Sequence, residues 1–165
     1  MIYLLYGQPA SGKTTLGKLL AEYLDTPFII DGDEFREMFT NKNYGRKGRE
    51  ENIRNANAVA TYLNKKGKEG NWKAVYIDGK SGWKGHPVNK ETHVVMCLVN
   101  PYDSLRKELK DNNQDQVVEV LLESDRDLRK GYHVKDFEIG SPDHVINTDS
   151  LETDTWHLLE GLLKL

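Results

Sequence analysis

The chain has a single cysteine, Cys97, among 165 residues. No disulfide can close within it, so the fold must rest on packing, and a reducing, cytoplasmic setting is expected. Cys97 lies inside the apolar run Val94-Val95-Met96-Cys97-Leu98-Val99, where a thiol reads as core filling and not as a nucleophile. Long hydrophobic runs are also missing. The apolar opening Met1-Ile2-Tyr3-Leu4-Leu5-Tyr6 breaks at Gly7-Gln8-Pro9, far short of the roughly 20 residues of a spanning helix. It has neither the basic flank nor the cleavage site of a secretory leader, so no membrane partner is expected. Positive charge is not in excess either: 23 Lys and Arg face 26 Asp and Glu, a net charge of −3. That argues against a surface that coats nucleic acid. It leaves room for a local cluster of cations, which is all a nucleotide requires. The five histidines have no metal-ligand spacing.

Hydrophobic residues at 38% and charged residues at 30% suit one globular domain spanning residues 1–165. Short apolar runs predict strands at 2–6, 28–30, 73–78, 93–99, 117–122 and 145–146. Helical spacing of apolar residues predicts helices at 13–24, 34–39, 49–65, 101 to about 110, 125–130 and 154–163. Asn100-Pro101 is expected to open the fourth of these, with Asn as cap and Pro in the first turn. A polar loop is expected at 41–48 and an irregular stretch at 131–143. Strands alternating with helices imply an α/β fold, a mostly parallel sheet with helices on both faces.

The sharpest motif is Gly7-Gln8-Pro9-Ala10-Ser11-Gly12-Lys13-Thr14, which satisfies G-x-x-x-x-G-K-[ST] at every fixed position. It lies between an expected strand and an expected helix, the context in which the motif has meaning. Gly7 and Gly12 let the backbone close around phosphate oxygens. Amide hydrogens from Ala10, Ser11, Gly12, Lys13, Thr14 and Thr15 then turn inward, at the positive end of the following helix. Lys13 is expected on the β- and γ-phosphates of ATP, and the Thr14 hydroxyl on Mg²⁺.

Asp31 and Asp33 fall at the mouth of the second strand, where open α/β sheets bind ligands. A carboxylate there can hold Mg²⁺ or accept the proton of an attacking hydroxyl. Asp33 is the stronger candidate, for catalysis and for metal, and it is also placed to cap the next helix. Val75-Tyr76-Ile77-Asp78 offers a weaker carboxylate at a strand end. Arg36 follows Asp33 by three residues; Arg49, Asn52 and Asn55 recur along one side of the long helix. Arginine forks suit sulfate or phosphate, and amides suit a base or ribose.

Several of these elements resemble the adenylylsulfate (APS) kinases. Asp31-Gly32-Asp33-Glu34-Phe35-Arg36 is similar to that family's D-G-D-x-x-R. Arg49-Glu50-Glu51-Asn52-Ile53-Arg54, with Ala58-Val59-Ala60 after it, is similar to its R-x-E-N-I-R-R helix. Asn100-Pro101-Tyr102 with Arg106 resembles S-P-Y-x-x-x-R, Lys130-Gly131-Tyr132 a shortened K-G-L-Y, and Val145-Ile146-Asn147-Thr148 the last strand. The resemblance implies a three-layer P-loop NTPase fold and transfer of the ATP γ-phosphoryl group to the 3′-hydroxyl of adenylylsulfate. It implies acceptor contacts from Arg36, Arg49 and Asn52, with Tyr44 where the family stacks a phenylalanine; Asp31, at the mouth of the second strand, is a further candidate for substrate binding. It implies a lid at about 129–142 carrying Lys130 and Tyr132, and a homodimer. Two departures stand out. Asn100 replaces the serine that takes up phosphate in some members, so no phosphoserine is expected there. Residues 67–92 look inserted, and their Trp72, Trp83 and Lys84 are candidates either for the acceptor pocket wall or for plain cover of the sheet. A kinase of this build with another small anionic acceptor is the second reading. A nucleotide-binding module without chemistry is the third.

Overall fold

Alternation within the first strand sets the architecture. Ile2, Leu4 and Tyr6 of β1 (Ile2–Tyr6) pack into one apolar cluster, Tyr3 and Leu5 into another on the opposite face. A strand that is apolar on both faces belongs in the middle of a sheet covered twice. In the computed structural model, residues 1–68, 71–75, 84–88, 92–126 and 129–164 are described, with backbone alone for 68, 71–75, 84–88 and 130. Among them β1 is central. The five-stranded sheet runs β2 (Ile29–Asp31), β5 (Val94–Leu98), β1, β6 (Val117–Glu123), β7 (His144–Asn147), and every pairing is parallel.

One face carries α1 (Lys13–Tyr23) and α5 (Glu152–Leu163), which bury Leu16, Leu20 and Leu159 against Leu5, Val95, Val120 and Ile146. The other carries α2 (Gly32–Met38), α3 (Arg46–Lys68) and α4 (Asp103–Asn113), with Phe35, Ala56, Ala60 and Leu109 packed on Leu4, Met96 and Leu121. Each fully buried aliphatic or aromatic side chain contributes about 1.5–3 kcal/mol. The three layers expected from the sequence are present. All five sheet strands end at the same edge, and the loops after β1, β2 and β5 gather there.

Four expectations need correction. The strand expected at 73–78 is β3 (Asn71–Val75), which pairs antiparallel with β4 (Lys84–Val88) in a separate two-stranded sheet; Asp78 and Trp83 lie outside the described residues, as do the side chains of Trp72 and Lys84. The helix expected at 125–130 does not begin at Asp125 or Arg126. There Ser124 Oγ accepts from Arg126 N at 3.3 Å, a serine turn that takes the backbone off the helical path. A single 3₁₀ turn, Lys130–Tyr132, follows.

Helix α3 starts three residues earlier than expected, at Arg46. The Asn43 side chain accepts from Gly45 N at 2.8 Å and folds the chain into the first turn. Gly48 then lets the preceding loop lie directly on the helix, since a Cβ there would meet Asn43 O at 2.1 Å. Helix α4 starts later than expected, and Asn100 does not cap it. Its first amide, Asp103 N, is met instead by Glu138 Oε2 at 2.8 Å, while Asn100 takes a left-handed conformation, φ 38°.

Candidate active site

The loop from Gly7 to Gly12 joins the buried end of β1 to the start of α1. Gly7 (φ 152°) is the tightest position. A Cβ there would stand 2.2 Å from Leu122 O and 2.9 Å from Ser11 Oγ, so only glycine fits. Ala10 (φ 65°) and Gly12 (φ 83°) are left-handed, the alternation that turns successive amides toward one concavity. Gly12 is the N-cap of α1 and brings no side chain to the first-turn amides, which leaves those of Lys13, Thr14 and Thr15 for an anion. Thr148 fixes the loop from outside, with Oγ1 donating to Ser11 O at 3.1 Å.

Lys13 arches back over this loop, Nζ donating to Gln8 O at 2.6 Å and to Ser11 Oγ at 3.2 Å. It is nine-tenths buried. Burial pushes its pKa down to about 8, against the pull of Asp31 and Asp33. Beside it, Thr14 Oγ1 donates to Asp31 Oδ2 at 2.7 Å. The other Asp31 oxygen accepts from Asp33 N at 2.9 Å and so caps α2. The cap expected of Asp33 is therefore made by Asp31. Asp31, at the extended end of β2, both caps and meets the Thr14 hydroxyl; Asp33 sits in the first turn of α2 and stays exposed.

On the far side of Asp33 two arginines converge. The Arg36 guanidinium lies over the Tyr44 ring at 4.5 Å and donates to Asn43 O at 3.0 Å. Its pKa is lowered, first by burial and then by the positive charge of Arg49, while Tyr44 and Asp33 oppose the shift. Arg49 sits beside the Tyr102 hydroxyl, near enough to act on its pKa but outside hydrogen-bond geometry. Asn52, one turn further along α3, donates Nδ2 to Gly32 O at 3.2 Å; its Oδ1 is buried with no partner. Asp33, Arg36, Tyr44, Arg49 and Asn52 thus form one group next to the loop.

Tyr132 does not join it: it stands 76% exposed on the 3₁₀ turn. Lys130 is described by backbone only. The 131–143 segment instead faces the phosphate loop across a cavity of about 510 Å³, lined among others by Gln8, Ser11, Arg126, His133 and Phe137. Gln8, an unspecified position in the loop motif, spans toward that segment with two bonds, Nε2 to Val134 O at 3.0 Å and Oε1 from Val134 N at 2.9 Å. Nothing in the sequence signals this contact. Asp149, bonded to the cavity-lining Ser124 and Asp125, is held down to about 2, by the Ser124 hydroxyl first and then the Asp125 amide, with Arg126 nearby.

The concavity fits a triphosphate: Gly7 excludes a Cβ, the amides are uncapped, and one ammonium overhangs them. The hydroxyl of Thr14 and the carboxylate of Asp31 are hard oxygen donors of the kind Mg²⁺ prefers. Among the described residues no cluster of three His, Cys, Asp or Glu side chains forms a metal site, so any Mg²⁺ here would share its coordination with phosphate oxygens and water. Residues 6–119, well over half of the chain, match the AAA domain family. The chain belongs to that family. This AAA domain is 28% identical over 130 residues to a cytidylate kinase from Pyrobaculum arsenaticum, which covers 76% of the chain and 62% of that protein; the chain therefore spans less than two thirds of its relative's length. An APS kinase from Mycobacterium tuberculosis, in complex with AMPPNP and APS, superposes with a TM-score of 0.71 at 16% identity, over 99% of this chain and 97% of that one. A shikimate kinase from Bacteroides thetaiotaomicron gives 0.58 at 18% identity, over 100% and 99%. The AAA domain has the P-loop NTPase fold. No described helix is long and apolar enough to cross a membrane.

Proposed function

We propose that this chain is an ATP-dependent phosphotransferase, which moves the γ-phosphoryl group of ATP to a hydroxyl or phosphate of a small anionic acceptor. The observation that carries this reading is the Thr14–Asp31 hydrogen bond beside a buried, overhanging Lys13. It puts a phosphate clamp and a carboxylate at one sheet edge, with the Arg36–Arg49 pair across from them. The kinase names of the relatives agree with it.

In this reading the loop amides and Lys13 bind the triphosphate and offset charge on its β–γ bridge. Thr14 and Asp31 would hold Mg²⁺, which would supply neutralisation of the triphosphate's charge. Asp33 orients the acceptor hydroxyl and receives its proton as the acceptor oxygen bonds to the γ-phosphorus. The bond to the β–γ bridging oxygen breaks, and ADP leaves. Arg36 and Arg49 orient the acceptor through its anionic group.

Adenylylsulfate is the acceptor we infer, with its 3′-hydroxyl as the nucleophile. The D-G-D-x-x-R and R-x-E-N-I-R elements supply that inference, and it gains support from the convergence of Asp33, Arg36, Arg49 and Asn52. A cover formed by residues 129–142 and a homodimer belong to the same proposal. The cytidylate kinase relative favours a second acceptor, cytidine monophosphate, whose phosphate the same arginines suit. An ADP-release assay across adenylylsulfate, cytidine monophosphate and a nucleotide panel tests both. Turnover with adenylylsulfate at the highest kcat/KM supports the first reading. Tight ATP binding with no ADP release for any acceptor would favour the non-catalytic module.

A further inference from the structure

Residues 131–143 are held to the rest of the molecule in two different ways. The later part is built into the core. Phe137 stacks on Tyr6 with ring centroids 6.2 Å apart, Glu138 N donates to Pro101 O at 2.8 Å, and Arg106 donates to Glu138 O and Ile139 O. The earlier part stands in the open: Tyr132 is exposed, and a Cβ on Gly131 would meet nothing within 4 Å. Between the two lies the buried Val134, whose N–H and C=O are both taken by the Gln8 amide. Among the described residues no other hydrogen bond joins the phosphate loop to this segment. Asp136 pairs with Arg46 at 3.5 Å, but both are well exposed, and such pairs hold little.

A glutamine amide has one face that donates and one that accepts, so it can stand in for the backbone of a neighbouring strand. Gln8 does this with its side chain alone. Its carbonyl has a separate task, as the seat of Lys13 Nζ at 2.6 Å. Phosphates can therefore draw Lys13 forward without undoing the clamp. The cavity between the two elements is lined by Gln8, Ser11 and Val134, and Ser11 is the second seat of Lys13. The segment is thus a wall of the space beside the place proposed for the terminal phosphates. Water admitted there would compete with the acceptor: its oxygen bonds to the γ-phosphorus, the bond to the β–γ bridging oxygen breaks, and ADP and inorganic phosphate leave as a proton passes to solvent. A closed wall suppresses that loss.

We propose that Gln8 is a positioning residue that keeps water from the γ-phosphate: its amide clamps Val134 and holds residues 131–143 against the phosphate loop. The inference rests on the phosphotransferase reading above and adds to it the residue that holds the cover shut.

The test uses Gln8→Met, which keeps the length of the side chain and most of its bulk but has no amide. Hydrogen exchange on the empty protein comes first. Exchange at the Val134 amide should rise about tenfold or more, while the Glu138 amide, bonded to Pro101 O, exchanges as in wild type. ADP release from ATP and Mg²⁺ is then measured without acceptor, and with adenylylsulfate or cytidine monophosphate. Acceptor-free release should rise about tenfold over wild type, transfer should not rise with it, and the thermal midpoint should stay near that of wild type. If the methionine variant fails to fold, Gln8→Ala decides by the same readings. Faster Val134 exchange without faster acceptor-free release overturns the inference and leaves the phosphotransferase reading standing. Unchanged exchange does the same. So do release and transfer that rise or fall together, the mark of a merely structural role. Wild type that releases no ADP with or without an acceptor overturns both.

Discussion

At the scale of single residues, the site is set by how far burial has moved one ammonium. Lys13 titrates near 8 because its surroundings disfavour the charge, and bound triphosphate would restore it. The sign follows: below pH 8 the lysine is already protonated and ATP binds fully; above it, binding must take up a proton, so affinity falls as pH rises through 8. Near pH 8 calorimetry in buffers of different ionisation enthalpy should record uptake of about half a proton per ATP bound. Removing the group outright, as Lys13→Ala, should cut phosphoryl transfer by about 10²–10³-fold or more while the circular dichroism spectrum stays that of wild type; near-normal turnover would refute the assignment. The two aspartates show how capping escapes spacing at this scale. Spacing favoured Asp33 for the cap, yet the extended backbone of Asp31 aims one carboxylate at Thr14 and at the α2 amide together. Which of two neighbouring carboxylates turns inward depends on where the strand stops, by one residue.

At the scale of elements, the parallel strands and their helices were legible because their apolar periodicities are clean, as in β1, β5 and α1. The phosphate loop was legible because its motif fixes residue types, and its surroundings agree. Boundaries set by side-chain capping were not. Helix α3 gained three residues through Asn43, and α4 lost its expected start because Glu138, from beyond β6, caps Asp103 N. Contacts between loops distant in sequence left no periodic trace at all, and Gln8 is the plainest case. Its two bonds to Val134 tie the 131–143 segment to the phosphate loop. Gln8→Ala should leave the thermal midpoint close to wild type but raise hydrogen exchange at the Val134 amide by about tenfold or more, since each bond holds about 0.5–1.5 kcal/mol. Unchanged exchange at Val134 would show that the segment is held by other contacts.

Across the whole molecule, Arg106 is where the layers are locked together. It is fully buried, reaches Asn100 O, Glu138 O and Ile139 O at 2.7, 2.8 and 3.0 Å, and lies over the Tyr6 ring at 4.3 Å. Its Nε is 3.7 Å from the buried Glu119 carboxylate. One side chain thus joins α4, β1, β6 and the returning loop. Arg106→Met should cost about 3–5 kcal/mol by taking one of two cations from the buried Glu119 carboxylate and leaving Asn100 O and Glu138 O without their donor, and a chain of this size loses roughly 2–4 °C of thermal midpoint per kcal/mol. Burial already raises the pKa of Glu119, which Lys110 and Arg106 oppose. Without Arg106 it rises further, so the folded variant binds a proton more readily than the unfolded chain. Its deficit should therefore shrink as pH falls, and melting curves across acidic pH check the trend.

The place of β1 has a consequence for how the protein is made. It occupies the middle of the sheet, yet its two neighbours begin only at Val94 and Val117. On a growing polypeptide this apolar ribbon leaves the ribosome long before either flank has been translated, so it must wait unpaired, sticky and in need of shielding. The phosphate cradle that hangs from its end can take shape only when synthesis has passed the fourth helix.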